Sequence, residues 1–289
     1  MTMPILSILI ALLLERITPQ LIELRRFAWL DDYARWMDDV LHISRLGSWS
    51  ALAFLVLPPF LLVWLLASMF ENALFGLFEL AFNVFVIFAC LGPRELDREI
   101  DDYIDAVEMG DEQRRHQAAG RLTLGEPAHE LGAQAMQVCQ GLYVQANGRL
   151  FAVIFWFVVL GPVAAVLYRL LEQVLSRHVL RSAIAGMDST AALLLGWIDW
   201  LPTRVTLFAF MLSGSFEDGF QAYREGNRDA IELRDQNHEL LHRVGCRCIV
   251  SQDVQNADQA VTMIRRSRGL ILRSLVVWLL LILFVGWFS

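Results

Sequence analysis

At 289 residues, with 56% apolar and 19% charged side chains and a mean hydropathy of +0.46, the chain has too little charge to coat a soluble particle of its size and reads as a membrane protein. Its formal charge of −7 gathers in the hydrophilic stretches, above all between Arg94 and Glu130, and leaves no basic stripe for a nucleic-acid partner. All 24 basic residues are Arg, a compositional habit from which no function follows, and Cys90, Cys139, Cys246 and Cys248 lack the spacing of a disulfide framework.

Residues 4–14 are apolar for only 11 positions, against the roughly 20 a helix needs to cross the hydrocarbon, so they predict a re-entrant or interfacial helix. The run lacks a basic n-region and ends at Glu15-Arg16 rather than at a small-residue cleavage site, so no signal peptide is expected. Residues 46–70 are uncharged, with Trp49 placed for an interface and Pro58-Pro59 predicting a kink. Residues 72–93 carry one charge, Glu79; residues 150–168 carry none and are bounded by Arg149 and Arg169. A fifth candidate, 191–213, is interrupted by Asp199 and Arg204 around Trp200-Leu201-Pro202. The last uncharged run, 274–289, is short, so its span is expected to begin near Gly269, with Arg273 snorkelling to the headgroups and Trp287 at the far interface.

Arginine placement decides whether the fifth candidate crosses. With five crossings, one side receives Arg16, Arg25, Arg26, Arg35 and Arg45, six arginines from Arg94 to Arg149 and eight from Arg224 to Arg268. The other side receives Arg177 and Arg181. Four crossings would move the eight-arginine segment across and largely cancel the bias. The expected fold is therefore all-α: a polytopic membrane protein with about five transmembrane helices, one of them broken, plus helical cytosolic hairpins. Its expected segments are 1–45, an N-terminal helix and cytosolic stretch; 46–93, a transmembrane hairpin; 94–149, cytosolic; 150–213, a transmembrane pair with a broken second helix; 214–268, cytosolic; and 269–289, the C-terminal span.

Within the charged segments, Leu96, Ile100, Ile104 and Val107 recur at helical spacing with Asp97, Asp101, Asp102 and Asp105 on the other faces, predicting a helix that packs on a neighbour. After a turn at Gly125-Glu126-Pro127, Leu131, Ala135, Val138 and Leu142 predict a helix leading into the third span. The segment 214–269 repeats the plan: a helix around Phe216, Phe220 and Tyr223, a break at Gly226-Asn227, a helix over about 229–241, and another from Asp253 into the last span.

A carboxylate and a guanidinium inside an apolar stretch are costly unless they pair, face a water-filled pocket or hold backbone groups freed by a proline. Asp199 and Arg204 around Pro202 therefore mark either a functional pocket or a buried pair that locks the helix break. Asn72, Gly76, Glu79 and Asn83 form a polar stripe at helical spacing opposite Phe75, Phe78, Phe82 and Phe85, whose face is expected to meet lipid. Glu79 is thus a second intramembrane candidate, lining a cavity with Arg204 or Arg169 or bonding a neighbouring helix. His238, His242, Cys246 and Cys248 crowd onto barely one helix, a poor cage for zinc, so a solvated helix end with incidental thiols is expected and no metal is assigned. No Walker loop, His-Glu-x-x-His helix or nucleophile elbow occurs, so motifs give no reaction.

Phe155-Trp156-Phe157, Gly161-Pro162, Tyr168-Arg169 and Asp199-Trp200-Leu201-Pro202-Thr203-Arg204, after the opening Leu12-Leu13-Leu14-Glu15-Arg16, follow an order and spacing that resembles the AmpE family along nearly the whole chain. That family comprises bacterial inner-membrane modulators of β-lactamase induction. Its wider superfamily includes the CobD/CbiB proteins, which attach an aminopropanol unit to cobyric acid. The resemblance implies a multi-pass inner-membrane sensor or signalling modulator tied to cell-wall recycling, with its N-terminal region and main loops cytosolic.

On this reading Arg169, Asp199 and Arg204 surround a pocket for a small polar ligand, muropeptide or nucleotide-like, or for a partner membrane protein. Tyr168, Glu15, Glu79 and Asn83 complete the ligand-binding set. A guanidinium fork suits such ligands because it holds a carboxylate or phosphate bidentately. The alternative is a divergent CobD/CbiB-like ligase or transferase forming an amide bond, with Glu15 or Glu79 as acid or base and ATP with magnesium as cofactor. Against it, Tyr168-Arg169 is followed by Leu170-Leu171-Glu172 where those proteins carry an Asn-Thr-Leu-Asp stretch, and their early Gly-Asp-Pro and His-Pro region is missing. A transporter is a third reading, thinly supported without an inverted repeat.

Overall fold

The computed structural model describes residues 2–17, 27–70, 76–176, 186–225, 232–249 and 254–288, and every regular element among them is helical. Arg25, Arg26, Asn72, Phe75, Arg177, Arg181, the Gly226-Asn227 break, Asp229 and Asp253 lie outside the described residues. In chain order the helices are α1 (Thr2–Ile17), α2 (Ala28–Leu41), α3 (Ser48–Phe70), α4 (Leu77–Cys90), α5 (Pro93–Glu108), α6 (Glu112–Leu122) and α7 (Leu131–Ala146). A π-helical turn, Asn147–Phe151, then joins α7 to α8 (Ala152–Leu160). Next come α9 (Pro162–Ser176), α10 (Met187–Ile198), α11 (Trp200–Ser213), α12 (Phe216–Arg224), α13 (Leu233–Cys248) and α14 (Ala257–Phe288).

Four helical stretches are long and apolar enough to cross a membrane: Ser48–Phe70, Leu77–Glu108, Leu131–Leu160 and Ala257–Phe284. The pair Met187–Ile198 and Trp200–Ser213 makes a fifth if counted as one broken span. The chain is thus an all-α polytopic membrane protein. Only 17% of the apolar window of α3 is buried, and Leu57, Leu61, Leu62, Trp64 and Leu65 stand exposed along it, which water would penalise and lipid does not. Phe78 and Phe85 on α4 are likewise exposed, as the aromatic stripe suggested.

The third span differs from expectation. Its helix is the 30-residue stretch Leu131–Leu160 rather than residues 150–168, and 67% of its apolar window is buried. It ends at Gly161, whose φ of +85° only glycine adopts freely, followed by Pro162, which has no N–H to continue the ladder. Arg149 lies inside that stretch, so a span bounded by charges is cut at it. At the other end of the chain, α14 runs through residue 269 as one helix from Ala257.

The helices cluster into two compact units. The first comprises residues 1–91 and 152–199, in which α1 packs along α4, and α9 packs on α3, α4, α8 and α10. The second comprises residues 92–151 and 200–288, in which α7 packs on α13 and α14, and α11 on α13 and α14. In the second unit α5 turns the predicted Leu96, Ile100, Ile104 and Val107 inward, and all four are buried. Gly141 on α7 has no space for a side chain: a Cβ there would lie 2.0 Å from the Leu122 carbonyl oxygen at the end of α6.

Candidate functional site

After the Gly161 turn, α9 restarts with Pro162 in its first position, where a missing N–H costs nothing. Its buried face carries Tyr168 and Arg169. The Tyr168 hydroxyl donates to Asp199 Oδ1 at 2.8 Å. Asp199 closes α10, its own N–H bonded to the Leu195 carbonyl at 2.7 Å, and the residue is 9% exposed. A carboxylate at that end of a helix faces the negative pole of the helix dipole, at a cost of about 0.3–1 kcal/mol, so a donor beside it is worth having. Tyr168 is that donor.

Arg169 is 3% exposed. Its Nη1 donates to Glu172 Oε2 at 2.7 Å, one turn along α9, and the same oxygen accepts from Gln173 Nε2 at 3.2 Å. Its guanidinium carbon lies 5.9 Å from the centroid of the Phe27 ring. The Nε–H of Arg169 is buried and has no hydrogen-bond partner among the described residues. Leaving a buried donor unmatched costs about 1–3 kcal/mol, more for a charged group, so this is an open valence aimed into a closed environment. Asp199, Arg169 and Glu172 all lie close enough to Tyr168 to act on it electrostatically. Together they form one polar cluster within the first unit.

The remaining expected residues are distributed around that cluster or away from it. Glu15 is buried on α1 and Asn83 on α4, which packs on both α1 and α9. Glu79 falls in the first turn of α4, just past Gly76, rather than in mid-span. There its carboxylate meets the positive pole of the helix, which the uninterrupted apolar sequence concealed. Arg204 belongs to the second unit. Its Nη1 donates to the Trp200 carbonyl at 3.1 Å and to Oδ1 of the buried Asn237, and its guanidinium sits 4.6 Å over the Trp200 ring. In the first unit the acid is met by Tyr168, and in the second the arginine folds back one turn along α11 and reaches α13.

The His238 to Cys248 stretch is no solvated helix end. α13 buries Asn237, Leu241, Val244, Gly245 and Cys248 against its neighbours. Burial, reinforced by the charges of Arg234 and His242, pulls His238 down to about 3, and burial alone pulls His242 down to about 4. Burial likewise pushes the Cys248 thiol up to about 12, with Asp218 adding to it. Among the described residues no three His, Cys, Asp or Glu side chains are grouped so that they could hold a metal ion.

Sequence reasoning missed Glu172, whose signal was its place one helical turn after Arg169. It also missed the π-helical turn, where Asn147 Oδ1 accepts from Thr206 Oγ1 at 3.0 Å and Asn147 Nδ2 donates to Thr203 Oγ1 at 3.4 Å. Nothing in the spacing of Asn147 announced that network, although Thr203 and Thr206 lie one turn apart on α11.

No solved structure matches the chain. Over 190 residues it is 27% identical to a protein of Chromobacterium violaceum described as cobalamin biosynthesis protein CobD. That match covers 62% of this chain and 56% of the relative, so the chain spans little more than half of the relative's length. The family model described as regulatory signalling modulator protein AmpE matches residues 3–286, and by that nearly complete match the chain belongs to the AmpE family.

Proposed function

We propose that the protein is an inner-membrane sensor that modulates β-lactamase induction in step with cell-wall recycling, its charged segments on the cytosolic side. The cluster of Tyr168, Asp199, Arg169 and Glu172 takes its small polar ligand. The observation that carries this reading is the buried Arg169 with its Nε–H unmatched among the described residues: a ligand oxygen, from a carboxylate or phosphate, would complete the guanidinium that Glu172 satisfies on one side. Family membership supports the signalling role, and the charged segments of the second unit offer the surface through which occupancy reaches a partner.

The test replaces the native copy with Arg169→Gln or Asp199→Asn and follows β-lactamase activity after a sub-inhibitory β-lactam. Protein in the membrane fraction is measured alongside. Both variants are expected to reach wild-type abundance and to shift the induction response. Wild-type induction by both at equal abundance overturns the assignment. A second reading draws on the CobD match: a ligase forming an amide bond with ATP and magnesium, for which the purified protein should hydrolyse ATP and lose that activity with Arg169→Gln.

A further inference from the structure

Within the second unit, a cavity of about 670 Å³ opens between the chain after α11 and the middle of α14. Its walls include Gly214 and Ser215 on one side and Thr262, Arg265, Arg266 and Arg273 on the other. Among the described residues no acidic side chain lines it. Arg265 is neutralised by Glu108 at 2.8 Å, whereas Arg266 and Arg273 are exposed and make no ion pair among the described residues. Ser215 is also the N-cap of the nine-residue α12, and its hydroxyl donates to Asp218 Oδ2 at 2.6 Å in the first turn of that helix. The cavity floor depends on close packing at Gly214, where a Cβ would lie 2.6 Å from the Cys248 carbonyl oxygen, and the Ser215 N–H bonds that carbonyl at 3.2 Å.

The position of this cavity along the chain is as informative as its charge. Gly214 and Ser215 directly follow the end of the broken fifth candidate span, and Arg273 directly precedes the uncharged run 274–289. Both walls therefore stand where an apolar helix meets the charged segments. Guanidinium groups beside such a boundary are attracted by an anionic leaflet, and a fork shaped for phosphate adds selectivity. We propose that Arg266 and Arg273, with Thr262, form a binding site for a phosphate ester, the headgroup of an anionic phospholipid or a soluble phosphate compound of the same chemistry. The site is separate from the Tyr168–Asp199 cluster and does not rest on the function proposed for it.

The experiment uses the full chain purified in an uncharged detergent and follows thermal unfolding by tryptophan fluorescence. Short-chain phosphatidylglycerol, phosphatidylcholine of equal chain length and inorganic phosphate are titrated at constant ionic strength. Phosphatidylglycerol should raise Tm saturably, since a ligand bound by the folded state alone stabilises it by mass action, and phosphatidylcholine should not. Arg266→Gln combined with Arg273→Gln should weaken that effect on the order of tenfold or more, through loss of two charge-assisted contacts, without changing the unliganded Tm. If the double variant fails to fold, each single variant is read instead. Inorganic phosphate acting as strongly as phosphatidylglycerol would assign the site to a soluble phosphate compound. Equal effects of the two lipids without one from phosphate, or an unaltered response in the variants, would overturn the site.

Discussion

The two units bury different kinds of polar group. In the first, the buried polar residues include Glu15, Arg169 and Asp199 alongside Ser7, Asn83 and Thr190. In the second, among the described residues, they are Gln134, Asn147, Thr203, Thr206, Asn237, Ser267 and Ser274, all neutral. Ion pairs of the second unit run from the half-buried Arg149–Glu99 to Arg121–Asp102, Arg265–Glu108 and Arg268 with Asp97 and Asp101 nearer the surface. A neutral hydrogen-bonded network specifies packing at modest cost, while a buried charge costs several kcal/mol unless its partners are excellent. The second unit therefore has the character of a structural body, and the first carries charges that packing alone does not demand.

The largest expected effect tests how far the second unit depends on close packing. Gly141→Ala would place a methyl group inside the Leu122 carbonyl, a rigid backbone atom, and is expected to destabilise by about 3 kcal/mol or more despite the better helix propensity of alanine. Gly161→Ala in the first unit meets no atom within 4 Å and suffers only the strain of φ at +85°, about 1–2 kcal/mol. Thermal melts of the two variants in detergent should differ accordingly. Equal losses would remove the steric half of the comparison.

The next effect introduces charge into the second unit. His238 and His242 are held neutral by burial, near 3 and 4 respectively, below the ordinary value of 6.5. Their stabilising contribution is complete above about pH 6.5 and is lost as pH falls toward 4, because the unfolded chain takes up protons that the folded one refuses. The ceiling is about 1.36 kcal/mol per pH unit for each histidine; both are partly solvent-exposed, so a total loss of about 2–3 kcal/mol between pH 7 and pH 4 is expected. Replacing both with Asn should flatten the pH dependence of Tm over that range. An unchanged slope would mean that neither histidine resists protonation in the fold.

What could be read from the sequence divides along the same line. Apolar length found α3 and the last span, and the four-residue rhythm of Leu96, Ile100 and Ile104 found α5, because these signals are local and one-dimensional. The cost of charge in an apolar run also led to Asp199 and to Tyr168-Arg169. It could not supply the partners. Tyr168 and Asp199 are 31 residues apart and meet only because α9 packs on α10. Proximity in sequence groups Arg204 with Asp199 but says nothing of Asn237, which Arg204 meets across 33 residues. Arg149 bounds the third span in the sequence, yet it lies inside the helical stretch Leu131–Leu160, where Glu99 meets it at 3.0 Å.

The smallest effect bears on the comparison most directly, since it removes one hydroxyl from each unit. Tyr168→Phe withdraws the donor from a buried carboxylate at the negative pole of α10, and hydrogen bonds to charged groups contribute about 1.5–3 kcal/mol. Thr206→Val withdraws a donor from Asn147, a neutral amide whose Nδ2 still bonds Thr203, and should cost about 1 kcal/mol. Denaturant or thermal unfolding of the two variants therefore ought to rank Tyr168→Phe below Thr206→Val in stability, with Asp199→Asn combined with Tyr168→Phe recovering part of the loss, because a neutral side chain needs that donor less. If Tyr168→Phe costs no more than Thr206→Val, and the double variant recovers nothing, Asp199 behaves as a neutral group and the first unit buries its polar residues on the same terms as the second.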